Sequence, residues 1–181
     1  MKSGLIERAR SRWQSFRQRF WLSLLFDSIL ILAVFLAIHA WQTRELPVDE
    51  AAPMERLALL DASGTLPVVE AGQSGVVYFF APWCFYCKTS IDNLDELVAG
   101  GSVAWGRAVA LDYGNVREVQ EFVDETGISL PVLMGSATTA KDWSVRAFPT
   151  YYLIDAEGRI HRRSVGYSTK LGMWARTWMA K

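Results

Sequence analysis

The sequence predicts an α/β domain with a mixed central sheet flanked by helices, preceded by one N-terminal transmembrane helix. Three observations carry that expectation. From Gly75 onward, apolar runs rich in β-formers alternate with segments of helical period, and the series ends in a hairpin signal. Residues 20–41 read FWLSLLFDSILILAVFLAIHAW, a stretch that at 1.5 Å per residue spans about 33 Å, enough for a hydrocarbon core of about 30 Å. The charge is zero overall, 19 Lys+Arg against 19 Asp+Glu, yet it divides into +5 over residues 1–19 and −5 over the rest. Composition excludes other classes. With 51% apolar residues and eight Trp the chain is no disordered segment. The charge balance argues against nucleic acid as a partner. Two cysteines are too few to staple a mini-protein.

Residues 1–19 form a basic leader with Lys2, Arg8, Arg10, Arg12, Arg17 and Arg19 against Glu7. Residues 20–41 are the anchor, with Trp21 and Trp41 at its ends, where amphipathic rings prefer the headgroup level. Arg residues before it and Glu45, Asp49, Glu50 and Glu55 after it place the N-terminus in the cytoplasm. Asp27, inside the span, reads as a protonated or interface-reaching carboxylate on a single helix. A cleaved signal peptide is the rival reading, but Ala37-Ile38-His39-Ala40 is a poor cleavage context. Residues 42–56, polar and holding Pro47 and Pro53, read as a tether, and residues 57–181 as the outer domain.

Within that domain, residues 57–69 around the turn Asp61-Ala-Ser-Gly64 predict a hairpin, and residues 75–80 a strand buried on both faces. A helix is expected over 84–98, stopped by Gly100-Gly101, and a second buried strand over 103–111. Asn115-Val-Arg-Glu118 has the form of a capping box opening a helix that Gly127 closes. A brief strand over 130–134, a short helix over 138–145, a hairpin over 150–165 and a last helix over 168–180 complete the series. Trp105, Trp143, Trp174 and Trp178 read as packing residues.

Both cysteines lie in Trp83-Cys84-Phe85-Tyr86-Cys87, where a buried strand turns into a helix. Unpaired N–H groups and the positive end of the helix dipole favour a thiolate there, so Cys84 is expected to be the exposed nucleophile. Cys87, one turn on, is expected to be shielded and to resolve the mixed disulfide by attacking it. A structural disulfide of so short a loop would remove little chain entropy. A zinc site would need two further ligands, and the outer domain holds only His161. The second element is Phe148-Pro149-Thr150 before the 150–154 strand. It is either punctuation at a strand start or a cis peptide facing the cysteines, with Phe148 backbone groups open to an extended substrate. Trp83, beside Cys84, is expected to line the substrate groove together with Phe85, Tyr86 and Phe148.

Phe80-Ala-Pro-Trp-Cys-Phe-Tyr-Cys-Lys88, Phe148-Pro-Thr-Tyr-Tyr-Leu-Ile-Asp155 and Gly158-Arg-Ile160 resemble the thioredoxin superfamily, in particular its membrane-anchored TlpA/ResA/DsbE-like thiol–disulfide oxidoreductases of bacterial envelopes. The tail from Gly166 to Trp174 resembles the ScsD-like protein disulfide oxidoreductase subgroup. The resemblance covers about residues 57–180 and rests mainly on the WCxxC with its downstream proline. It implies a thioredoxin-like fold, with Cys84 as nucleophile, Cys87 as resolving thiol and Pro149 as cis-proline. No cofactor is implied beyond the redox-active Cys84–Cys87 disulfide. Two positions depart from the pattern. Tyr78 stands where thioredoxin has a buried Asp that accepts the proton of the second Cys, and Ser90 where some ResA-like members carry an acid. Proton transfer at Cys87 is therefore left to water, Glu70 or another group.

These readings converge on a membrane-tethered thiol–disulfide oxidoreductase of the bacterial inner membrane, single-pass, with its C-terminal domain in the periplasm. The expected partners are envelope proteins with exposed thiols or disulfides and a transmembrane electron donor or acceptor. The resemblance favours a reductase over an oxidase. The alternative is a non-catalytic module carrying copper or haem-related cargo on Cys84 and Cys87. A peroxidase would want a Thr-x-x-Cys context, which is missing here.

Overall fold

The computed structural model describes residues 23–38, 40–41, 48–167, 169 and 172–173. The chain divides into two compact units, Met1–Arg44 and Glu45–Lys181. In the first, residues 23–38 form helix α1, with Leu24, Phe26, Ile29, Ile31, Phe35 and Leu36 all exposed. Among the described residues no helix is long and apolar enough to cross a membrane. Residues 20–22 and 39 of the predicted anchor, and most of the predicted helix over 168–180, lie outside the described residues.

The second unit runs β1 (Arg56–Leu59), β2 (Thr65–Pro67), β3 (Gly75–Phe80), α2 (Phe85–Lys88), α3 (Asp92–Ala99), β4 (Trp105–Ala110), α4 (Val116–Thr126), β5 (Val132–Met134), α5 (Ala137–Asp142), β6 (Thr150–Ile154) and β7 (Ile160–Val165). Its seven strands make one sheet in the order β2-β1-β5-β4-β3-β6-β7. β3, β4 and β5 are parallel neighbours, while β6, β7, β1 and β2 join antiparallel, so the sheet is mixed as predicted.

All six residues of β3 are buried, because it lies between β4 and β6 with side chains packed on both faces. Strand alternation sends Val76, Tyr78 and Phe80 into a core with Cys84, Cys87, Ile91 and Phe122. Val77 and Phe79 point the other way, into a core with Trp105, Trp143 and Tyr152. Asn115 caps α4 by accepting from Glu118 N–H at 3.1 Å, Glu118 returns to Gly114 N–H at 2.8 Å, and Gly127 closes the helix at φ 64°.

Three details differ from the sequence reading. The single helix expected over 84–98 is two, α2 and α3. At the break, Thr89 and Ser90 hydroxyls donate back to Phe85 and Tyr86 carbonyls, at 3.3 and 2.6 Å, and compete with the helical ladder. α5 stops at Asp142, with Ser144 in the left-handed region at φ 53°. Part of the tether runs along β7, where Asp49 N–H donates to the Ile160 carbonyl at 2.7 Å and Ile160 N–H to that of Glu50 at 2.8 Å.

Candidate active site

β3 ends at Phe80, at the carboxyl end of the parallel strands, and the chain turns through Ala81, Pro82 and Trp83 into α2. Cys84 is the extended N-cap residue (φ −80°, ψ 110°), and its Sγ accepts from the Cys87 N–H at 3.3 Å. The helix start therefore directs an N–H at this sulfur, as the strand-to-helix position predicts. Both cysteines are free thiols.

Cys84 is not the exposed residue the sequence suggested. It is 5% exposed and Cys87 0%, because both belong to the packed cluster that holds Val76, Tyr78 and Phe80. What stands out instead are Trp83, Phe85 and Tyr86, at 64%, 70% and 59%. Burial pushes the Cys87 thiol well above its ordinary value, and its hydrogen bond with Cys84 adds to the rise. An Ala81 backbone contact and the Tyr78 hydroxyl pull the other way.

The Phe148–Pro149 peptide bond is cis. The Trp83 ring meets Phe148 edge to face at 5.8 Å between centroids, which places this loop beside the turn that carries Cys84. The Pro149 carbonyl accepts from Gly166 N–H at 2.7 Å, tying the loop to the end of β7. Trp83 Nε1 donates to the Asp112 carbonyl at 3.0 Å and to its carboxylate at 3.2 Å, so the exposed indole is held in place. Phe85 and Tyr86 contact each other edge to face at 5.8 Å. A shallow groove beside Trp83 is lined by Pro82, Lys88, Glu118, Phe122 and Glu125.

The structure thus gathers Trp83, Cys84, Phe85, Tyr86, Cys87, Phe148 and Pro149 around one strand end. It separates Glu70 from them: that carboxylate is half exposed and pairs with Arg107 at 2.8 Å. Sequence reasoning missed Asp112 and the pairing of Tyr78 with Ser90. Asp112 follows β4 just as the cysteine motif follows β3, and the Phe80↔Ala110 register sets the two turns side by side. Among the described residues no group of three or more His, Cys, Asp or Glu is placed to hold a metal ion.

A dithiol at a helix start, carried on the end of a buried strand of a mixed sheet and flanked by a cis-proline loop, is the arrangement of a thioredoxin-like domain. Within that class the chain belongs to the AhpC/TSA family, whose model matches residues 49–163. It is 23% identical over 154 residues to the thioredoxin-like protein YneN of Bacillus subtilis, covering 80% of this chain and 90% of YneN. It is 27% identical over 101 residues to the thiol-disulfide oxidoreductase ResA of Bacillus cereus, covering 55% of this chain and 58% of ResA. A thioredoxin-family thiol:disulfide interchange protein of Chlorobium tepidum has the same fold, with a TM-score of 0.64 at 21% identity over 74% of this chain and 97% of its own.

Proposed function

We propose that this chain is a membrane-tethered thiol–disulfide oxidoreductase that reduces disulfides of envelope proteins. The observation that carries the reading is the asymmetry of the pair. Cys84 lies at a helix start with an N–H on its sulfur, while Cys87 is fully buried and hard to ionise. Cys84, as thiolate, attacks a substrate disulfide. One substrate sulfur bonds to Cys84 and the other leaves as a thiolate and takes up a proton. Cys87 then gives up its proton and attacks Cys84 Sγ. The Cys84–Cys87 bond forms, the second substrate sulfur leaves and is protonated, and the substrate departs as a dithiol. A transmembrane electron donor returns the Cys84–Cys87 disulfide to two thiols.

Trp83, Phe85, Tyr86 and Phe148 offer an apolar rim for an extended substrate segment around Cys84, with Pro149 flanking it. The membrane reading is supported by α1, apolar and exposed on all sides as a lipid-facing helix is. The basic leader before it fits a cytoplasmic N-terminus and a periplasmic domain.

A Cys87→Ser variant tests the chemistry: it is expected to accumulate mixed disulfides on Cys84 with envelope proteins, and a variant that forms no adduct refutes the exchange mechanism. Thiol alkylation in cells tests the direction. A pair held mostly reduced supports the reductase; a pair held mostly oxidised makes it an oxidase.

A further inference from the structure

The groove beside Trp83 holds about 180 Å³, whereas pockets that take a whole small molecule start at about 300 Å³. Its size suits one long side chain of a larger partner. Pro82 and Phe122, both buried, form the floor, and the exposed Trp83 ring forms one wall. The other wall is polar. Glu118, Glu121 and Glu125 recur along one face of α4, and Lys88, the last residue of α2, pairs with Glu125 across the groove.

Three acids thus meet one base in this lining, and the base is already paired. Arg117 answers Glu121 at 2.8 Å, but both ends of that pair are exposed and water screens it. Glu118 meets no cation among the described residues. Its two oxygens accept from the Gly114 N–H and the Asn115 side-chain amide, each at 2.8 Å, and neutral donors leave its charge uncompensated. The Asp112 carboxylate, on the turn that holds Trp83, likewise accepts from a neutral donor, the indole itself.

The imbalance covers the side of the sheet that carries the dithiol. α3 and α4 pack there, since Leu94, Leu97, Val119 and Phe122 share the core cluster of Cys84 and Cys87. Lys88, α3, Asp112 and α4 together hold eight acids against two bases, while the other described residues of the domain hold eight against seven.

We propose that this groove is a specificity subsite for a lysine or arginine of the substrate, so that the enzyme prefers disulfides in cationic segments. The inference rests on the oxidoreductase reading and names its substrate class. Trp83 and Cys84 are neighbours, with Cα atoms about 3.8 Å apart, and an extended segment advances about 3.3 Å per residue. The cation therefore belongs within about three residues of the cysteine that exchanges with Cys84. Its methylene stem lies on Pro82, Phe122 and the Trp83 ring, and its head reaches Glu118 and Glu121. A metal ion is a poorer occupant, because among the described residues no three acids are placed to close on one. Glu118 and Glu121 touch the substrate away from the reacting sulfurs, so they choose among substrates and leave the exchange chemistry to the cysteines.

Three synthetic peptides test this, identical except for Lys, Gln or Glu at both positions two residues from a cysteine blocked as a pyridyl disulfide. The reduced full-length chain is used in detergent at low ionic strength. Cys84 thiolate attacks the peptide sulfur, the Cys84–peptide disulfide forms, and pyridine-2-thiolate leaves and takes up a proton as pyridinethione. Cys87 then gives its proton to water and attacks Cys84 Sγ, and the peptide thiolate leaves and is protonated. The second-order rate constant of pyridinethione release is expected to favour Lys over Gln about fivefold, with Glu slower than Gln. The Lys/Gln ratio within one protein cancels any change in Cys84 itself. In Glu118→Gln/Glu121→Gln, where Gln can keep the capping box, that ratio is expected to fall below about twofold. Asp92→Asn/Glu96→Gln removes two charges from α3, outside the groove, and is expected to keep the ratio above that level. Lys88→Gln removes the groove's own base and is expected to raise it. A wild-type ratio below about twofold overturns the proposal, as does an equal fall in the α3 and groove variants. If the groove variant does not fold, Lys88→Gln decides, since an unchanged or lowered ratio overturns the subsite. A wild-type chain that releases pyridinethione from no peptide refutes the exchange reading and this inference with it, whereas release from all three at equal rates refutes only the subsite.

Discussion

Cys87 shows what the fold does to a single thiol. Its ionisation is disfavoured chiefly by burial, so its folded pKa lies above its unfolded one. A group raised in this way contributes stability that is fully present below the unfolded thiol pKa, about 8.5, and is lost as pH climbs through the folded value. In a Cys84→Ser background, unfolding free energy is therefore expected to fall by about 1.4 kcal/mol per pH unit above about pH 8.5, and the Cys84→Ser/Cys87→Ser chain is expected to lack that slope. Urea melts across the alkaline range check it; parallel slopes in the two chains would refute it. Tyr78 and Tyr152, also raised by burial, add their own decline above the ordinary phenol range in both chains. At this scale the sequence exposed what lies close along the chain. Cys84 and Cys87 are three residues apart, and Phe148-Pro149 declares itself by its proline. Tyr78 with Ser90, and Trp83 with Asp112, stayed hidden because they meet across separate elements, 12 and 29 residues apart. Burial of Cys84 was hidden for the same reason, since the residues that close over it belong to other strands and helices.

Elements were legible wherever a periodic pattern agreed with its tertiary surroundings. The apolar run of β3 fits a central strand, and the Asn115 box and Gly127 mark both ends of α4. The split between α2 and α3 escaped notice because Thr89 and Ser90 are tolerated in helices, and only their back-bonding to the preceding turn breaks this one. Sheet order was not legible at all, since nothing local tells β5 to pair with both β4 and β1. Registration between β3 and β4 carries an element-scale prediction. Gly75 lies opposite Trp105, and a Cβ there would fall 2.1 Å from ring carbons of that indole. The ring cannot easily yield, being 4% exposed and held by its Nε1 donating to the Gln73 carbonyl at 3.0 Å. Gly75→Ala is expected to destabilise the domain by about 1–3 kcal/mol through overpacking, read as a lowered urea midpoint with an unchanged slope. A midpoint equal to wild type would mean that the two strands are not in this register.

The whole chain couples a charge asymmetry to a redox site. Its zero net charge is the sum of a +5 leader over residues 1–19, −4 over residues 42–181 and −1 from Asp27 inside residues 20–41. If those residues anchor the chain, the leader stays in the cytoplasm and the dithiol works outside, confined near its electron donor and substrates. Such confinement raises their effective concentration without any new contact. Fractionation separates this from a processed, soluble product. The full-length chain is expected in the membrane pellet after alkaline carbonate washing, with the domain open to protease in spheroplasts and the leader protected. Replacing Arg8, Arg10, Arg12, Arg17 and Arg19 with Gln removes the charge bias that sets orientation and is expected to move part of the population to the opposite topology. That inverted fraction would carry Cys84 and Cys87 in the cytoplasm, where the glutathione and thioredoxin systems keep thiols reduced. Substrate adducts of the Cys87→Ser chain should then fall in proportion to the inverted fraction. A full-length membrane protein whose adducts persist after inversion would place its substrates on the cytoplasmic side and refute the envelope assignment.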